Sequence, residues 1–154
     1  MDDLAIARGI HVLAVIVWIG GVSMVTTIVL PAALRSAEAA RLAEAVERRF
    51  ALQARIATVL VGASGFYMVD RFALWDRFRF AAYWWMHAMV LVWLIFTVVL
   101  FVAEPLFFDR WFRAGMAVDP QRTLRRVVRL HRVLLALSLV TAFGAVAGSH
   151  GLLF

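Results

Sequence analysis

The chain has 154 residues, of which 64% are hydrophobic and 17% are charged, and its formal net charge is +6. Soluble domains are about half apolar and about a quarter charged, so a soluble globule of this length could not bury so much apolar surface, and we predict an integral membrane protein. All 16 basic residues are arginine, and there is no lysine or cysteine, which excludes Schiff-base and P-loop chemistry, disulfides and thiolate metal sites. In a membrane chain the excess of arginine indicates orientation and contact with membrane lipids, and we predict no nucleic-acid partner.

Four long apolar runs predict an all-α fold, a four-helix transmembrane bundle that forms a single membrane domain over residues 1–154. A helix needs roughly 20 residues to cross the hydrocarbon core of a bilayer. The predicted spans cover residues 5–31, 50–70, 80–104 and 132–153, and long connections occupy 32–49 and 105–131. Pro31 is expected to end or kink the first span, and Pro105 to end the third, because proline removes a helical hydrogen bond.

The arginines are distributed unevenly along the chain and therefore predict its orientation. Twelve of them lie in or beside the two long connections, and four lie elsewhere. Because positive residues accumulate on the cytoplasmic side of a membrane, we expect both connections in the cytoplasm and both termini on the outer, periplasmic side. The predicted location is the bacterial inner membrane. Glu104 is expected to pair with Arg129 or Arg132 at the cytoplasmic boundary.

Three histidines fall at nearly the same depth on different spans. His11, His87 and His150 lie within roughly 6–10 Å of the outer boundary at the rise of an α-helix, whereas His131 lies near the opposite one. Ionisable residues inside a membrane usually face the bundle interior, where imidazoles from several helices can hold a metal or a haem iron. A single such histidine is equally well explained by an interhelical hydrogen bond. We predict that two of them ligate iron or another metal, either His11 with His87 or His11 with His150.

The residues around these histidines favour haem b. Arg8 shares a helix face with His11, and an arginine there suits a haem propionate. Small residues leave room for a flat macrocycle, and aromatic rings pack on it. Besides the histidines, the residues predicted to bind the haem are Arg8, Arg79, Gly20, Gly21, Trp18 and Trp85. Glycine pairs have a second interpretation as close helix packing, and Gly144 and Gly148 fit that pattern.

Copper is the alternative to haem. Met68, Met86 and Met89 lie in the same half of the predicted bundle as the three histidines, and thioether with imidazole suits Cu(I). Methionine is also a common filler of protein cores, so these residues have an ordinary packing interpretation. No chain of acidic residues crosses the membrane, which argues against a proton pump.

Short motifs in three spans resemble those of the CopD-like and HemJ-like small membrane proteins. The stretch Gly9–Gly21 resembles their first span, and Trp85–Met89 resembles the start of the third span of HemJ. The stretch Arg126–Gly151, with the motifs Leu130–Arg132 and Gly148–Gly151, resembles the last span of CopD-like proteins. The resemblance implies a four-helix bundle that binds haem b near His11. It also implies protoporphyrinogen oxidation, if the chain is like HemJ, or copper transport, if it is like CopD. HemJ carries a functionally important lysine where this chain has Met89, so the HemJ activity is disfavoured.

The sequence therefore predicts a b-type haem protein that transfers electrons or senses redox state near the periplasmic side. Its expected partners are a quinol and a periplasmic redox protein, and an oxidoreductase activity and assembly into a homo-oligomer are both compatible with the sequence. The alternatives are a CopD-like copper-binding or transport protein, a HemJ-like oxidase and a non-catalytic subunit of a larger membrane complex.

Overall fold

A computed structural model describes residues 2–152, with the side chains of all of these except Asp2, Ala37, Ala39, Ala40 and Asp109. Every regular element in this range is helical. In chain order the elements are α1 (Asp2–Met24), a π-helical stretch (Val25–Val29), α2 (Leu30–Ala33), α3 (Ala37–Arg71), two 3-10 turns (Trp75–Arg79 and Ala81–Tyr83), α4 (Trp84–Val98), a longer π-helical stretch (Val99–Phe108), α5 (Asp109–Val118) and α6 (Pro120–Ser149).

Four helical segments are long and apolar enough to cross a membrane, which confirms the predicted all-α fold with four membrane spans. The segments are Asp3–Ala33, Arg41–Arg71, Ala81–Phe108 and Pro120–Ser149. Their outward faces are apolar, since side chains such as Leu13, Ile28 and Val140 are at least 60% exposed. In a helix all backbone groups are bonded within the segment, so an apolar outer surface of this kind suits a multi-pass membrane protein.

The four spans alternate in direction and pack as a ring. At one end, Asp3 at the start of α1 accepts a hydrogen bond of 2.7 Å from the Tyr67 hydroxyl near the end of α3, and Trp85 at the start of α4 packs on Gly148 at the end of α6. We call this the terminal end. At the opposite end lie the two arginine-rich connections, 32–49 and 105–131, that we expect to face the cytoplasm. We call this the arginine-rich end. Both α1 and α4 pack chiefly against α3 and α6, so α1 and α4 face each other diagonally.

The core joins these diagonal helices through an aromatic contact. Trp18 of α1 meets Phe96 of α4 edge to face, with ring centroids 4.7 Å apart, and both residues are buried. Edge-to-face pairs contribute about 0.5–1.5 kcal/mol beyond the burial of their surface. This contact holds α1 and α4 together in the middle of the bundle. We call the part of the bundle between this contact and the terminal end the terminal half.

Tryptophans of α4 pack directly on glycines of the neighbouring helices. The pairs are Trp84 with Gly144, Trp85 with Gly148 and Trp93 with Gly62. A methyl group on Gly148 would overlap the indole nitrogen of Trp85, so the absence of a side chain there is what allows α4 and α6 to approach. These contacts support the interpretation of the glycine pairs as sites of close helix packing.

The expectation that Pro105 ends the third helix is wrong. The chain stays helical from Trp84 to Val118, and Pro105 lies inside the π-helical stretch Val99–Phe108. The predicted long connections are also largely helical. Only Asp119 separates α5 from α6, where its carboxylate accepts a hydrogen bond from the Arg122 backbone and so caps α6.

The π-helical stretch leaves one carbonyl without its usual partner. In a π turn the oxygen of residue 100 faces the nitrogen of residue 105, and that residue is proline, which has no N–H. The side chain of Arg55 on α3 fills this position, with its Nε donating to Leu100 O at 3.1 Å. The same guanidinium lies 3.4 Å from Glu104. The prediction that Glu104 pairs with Arg129 or Arg132 is therefore wrong, because Arg55 is bound to both the freed carbonyl and Glu104.

Replacement of Arg55 with alanine should lower the free energy of unfolding by about 1.5 kcal/mol, the cost of leaving a carbonyl and a carboxylate without a charged donor. Thermal unfolding in detergent, followed by circular dichroism, measures this effect. Arg49→Ala is the matched control, since Arg49 is an exposed arginine of the same helix, and its effect should stay within about 0.5 kcal/mol. Equal effects of the two variants would contradict the role assigned to Arg55.

Candidate functional site: the histidine of the first span

His11 is fixed against α3 by a hydrogen bond that also determines its tautomer. Its Nδ1 lies 3.1 Å from Val61 O and 3.0 Å from Ser64 Oγ. The Ser64 hydroxyl donates its hydrogen to Leu60 O, so both groups that face Nδ1 act as acceptors. Nδ1 of the neutral imidazole therefore carries the hydrogen, and the lone pair is on Nε2.

Small residues allow His11 to reach α3. Ala7 and Ala14 lie on the same face of α1 one turn to either side, and both are buried. On α3 the imidazole packs beside Gly65, where a methyl group would lie 3.2 Å from its Cε1. The alanines and the glycine bring the two backbones close together, so the half-buried imidazole is held between them.

His87 is held within its own segment. Its Nε2 lies 2.9 Å from Phe78 O in the preceding connection, and its Nδ1 lies 3.2 Å from Tyr83 O one turn back. The ring also meets Phe78 edge to face, with centroids 5.4 Å apart. Both ring nitrogens thus face carbonyl oxygens, and the exposed imidazole is directed at the connection rather than at His11.

His150 stands at the end of α6 with its side chain exposed. Its Nδ1 lies 2.8 Å from Val146 O of the preceding turn and 3.2 Å from Ser149 Oγ. Of the three predicted histidines, only His11 is partly buried between two helices of the bundle. Among the side chains that it describes, no group of three or more His, Asp or Glu residues is arranged to hold a metal ion.

The two arginines predicted to anchor propionates differ in their surroundings. Arg8 lies at the terminal end beside His11, and its guanidinium lies 5.9 Å from the centre of the Phe72 ring. Arg79 pairs with Asp76 of its own connection at 3.6 Å, and both side chains are at least 80% exposed. Of the two, Arg8 is the cation that lies on the helix of His11.

The glycines and tryptophans that were predicted to bind haem also differ in their packing. Gly21 packs on the ring of Phe50, whereas Gly20 has open space beside it. Trp18 and Trp85 are both more than nine-tenths buried, and the indole N–H of each has no hydrogen-bond partner within the described part of the chain. A buried donor without an acceptor costs about 1–3 kcal/mol, so each indole would gain from a bound group that carries acceptor oxygens.

Two cavities lie toward the arginine-rich end. One of about 390 Å³ is enclosed by α2, α3, α5 and α6. The other, of about 370 Å³, is a cleft between Thr26 and Pro31 on one side and Arg132 and Leu139 on the other. Neither is lined by the predicted histidines. Sequence reasoning missed the first cavity and missed Ser64, although a serine within the apolar run of the second span was a visible signal.

Comparison with protein-family models, with curated proteins and with solved structures finds no match for this chain. The resemblance to CopD-like and HemJ-like proteins therefore rests on the short motifs alone.

Proposed function

We propose that this protein is a b-type haem protein of the bacterial inner membrane in which His11 would hold the iron. One observation carries the proposal: Nδ1 of His11 lies 3.1 Å from Val61 O and 3.0 Å from Ser64 Oγ on α3, and these acceptors assign the hydrogen to Nδ1 and the lone pair to Nε2. Imidazoles that bind metals are oriented in this way, through a hydrogen bond from the other ring nitrogen to a carbonyl or a similar acceptor.

Other residues of the terminal half fit such a group. Arg8 supplies a positive charge on the same helix, which suits a propionate carboxylate. The N–H groups of Trp18, in the middle of the bundle, and of Trp85, beside Gly148, are buried donors without an acceptor among the described residues. When bound, the haem supplies one-electron chemistry. The residues of this chain would hold the iron through one imidazole and exclude water through the apolar walls around it.

The proposed role is electron transfer, or sensing of redox state, between a quinol in the membrane and a redox partner on the side of the terminal end. The position of His11 near that end supports this role, because a haem there would lie within a few helical turns of both the quinol and the redox partner. The CopD-like copper function stays the alternative and shares His11 as a ligand.

The optical spectrum of the purified protein tests the proposal. Protein from haem-replete cells should show a Soret band, form the pyridine complex typical of haem b, and contain iron in equimolar amount. Stoichiometric copper without a Soret band would replace haem with the CopD-like alternative. A colourless, metal-free protein would overturn both, and His11 would then serve only to join α1 to α3.

We further propose that the arginine-rich end faces the cytoplasm, as the distribution of arginine predicts. The chain has no cysteine, so single cysteines can report the orientation directly. Asp76→Cys at the terminal end should react with a membrane-impermeant maleimide in intact spheroplasts, because the side chain at that position is exposed. Val118→Cys, at a position 87% exposed at the opposite end, should react only after lysis. The reverse pattern would invert the orientation and place His11 near the cytoplasm.

A further inference from the structure

The larger cavity combines an apolar wall with charges of both signs. Its volume of about 390 Å³ lies within the range of about 300–1,000 Å³ that is typical of ligand pockets. Apolar side chains of α2, α5 and α6 form the wall, including Leu30, Phe112, Met116 and Leu124. The charged residues that line it are Arg35, Arg41, Glu44 and Glu47. Two basic and two acidic residues therefore line the same cavity beside an apolar wall.

Glu47 is the least satisfied of these groups. Its Oε1 has no contact with solvent and no hydrogen-bond donor among the described residues. A carboxylate withdrawn from water without a partner costs several kcal/mol. Two other carboxylates, Glu104 and the cavity residue Glu44, add negative potential at Glu47. The carboxylate end of the cavity thus favours a cation that can donate hydrogen bonds.

The arginines supply the opposite preference. Arg35 lies in the link between α2 and α3, Arg41 lies in the first turns of α3, and both are exposed residues that line the cavity. Neither forms an ion pair with an acidic side chain that the structure describes. Guanidinium groups bind phosphate with charge-assisted hydrogen bonds. A ligand with a phosphate and an ammonium group would match both ends of the cavity, and the apolar wall favours one that also carries acyl chains.

We propose that this cavity binds the headgroup of an ethanolamine phospholipid, with the ammonium at Glu47 and the phosphate at Arg35 and Arg41. The lining contains both basic and acidic side chains, an arrangement that matches a zwitterion better than an anionic lipid. A choline headgroup carries the same charges, but it has no N–H to donate to the carboxylate. The cavity lies at an end of the membrane spans, where phospholipid headgroups are concentrated. This site is independent of the haem proposal.

Lipid binding to the delipidated, full-length protein in detergent, followed by native mass spectrometry, tests the proposal. The probes are phosphatidylethanolamine, its N-methylated series through phosphatidylcholine, phosphatidylglycerol and inorganic phosphate. Phosphatidylethanolamine should bind about tenfold more tightly than phosphatidylglycerol, and the affinity should fall with each N–H replaced by methyl. Inorganic phosphate should not compete. This series needs no variant and therefore tests the site in the unaltered protein.

Variants then locate the site. Glu47→Gln should abolish the preference for the ethanolamine lipid over phosphatidylglycerol, and Arg41→Gln should weaken the binding of all phospholipids. Glu38→Gln and Arg48→Gln are the matched controls, since both are exposed charges of α3 that do not line the cavity. Equal affinity for phosphatidylglycerol, an unchanged preference in Glu47→Gln, or displacement of lipid by phosphate alone would each overturn the proposal.

Discussion

Replacement of His11 with alanine should abolish the Soret absorbance of the purified protein, the largest effect that we expect from any single substitution. Nδ1 of His11 faces acceptors on α3, which leaves the lone pair of Nε2 for the iron. The spectrum of protein purified from haem-replete cells, with equimolar iron as the second measurement, checks the expectation. Ser64→Ala should weaken haem binding about tenfold, because Ser64 orients the ring without touching the iron.

His131→Ala is the matched control for His11→Ala. His131 is also half-buried on a membrane span, and its Nδ1 faces a carbonyl, that of Val127, at 3.1 Å. It lies toward the arginine-rich end, so its removal should leave the spectrum unchanged. If the haem is lost from the His131 variant and retained in the His11 variant, the proposed ligand is wrong and the haem lies at the opposite end.

The four membrane spans were predictable because length and apolar composition are properties of a single run of residues. The effect of Pro105 was not. Whether a proline ends a helix or widens it depends on what satisfies the carbonyl that it leaves without a donor. Here that group is Arg55, which lies 45 residues before Leu100 in the sequence. The packing of α3 on the π-helical stretch Val99–Phe108 thus decides the outcome, and no pattern within the third span contains that information.

The sequence predicted how deep the histidines lie in the bundle, but not which neighbouring element each side chain faces. Counting residues places His11 and His87 at similar depths, yet hydrophobicity does not define the rotation of a helix whose faces are all apolar. Rotation is set by side-chain size: small residues turn His11 toward α3, whereas the connection before α4 offers its carbonyls to His87. The cavity around Glu47 was missed for a related reason, since its lining comes from two parts of the chain, residues 30–47 and 112–127, that are distant in the sequence.

Replacement of Gly148 with alanine should lower the free energy of unfolding by about 3 kcal/mol, because overpacking forces rigid neighbours to move. The added methyl would overlap the indole of Trp85, which is 7% exposed and has little space to shift. Gly20→Ala is the matched control: its methyl meets nothing within 4 Å, and alanine stabilises a helix relative to glycine by about 0.5–1 kcal/mol. Thermal unfolding of the two variants in the same detergent measures the contrast.

A double-mutant cycle separates overlap with Trp85 from a general defect in α6. In the Trp85→Leu background the side chain that the methyl would strike is shorter, so Gly148→Ala should cost much less there than in the parent protein. An equal cost in both backgrounds would show that the methyl harms α6 by another route. A cost in the parent protein no greater than that of Gly20→Ala would show that α4 and α6 are farther apart than the structure places them. Trp85 Nε1 lies against Gly148 and has no hydrogen-bond partner among the described residues. The optical spectra of the same variants therefore test whether this contact is needed to hold the proposed haem.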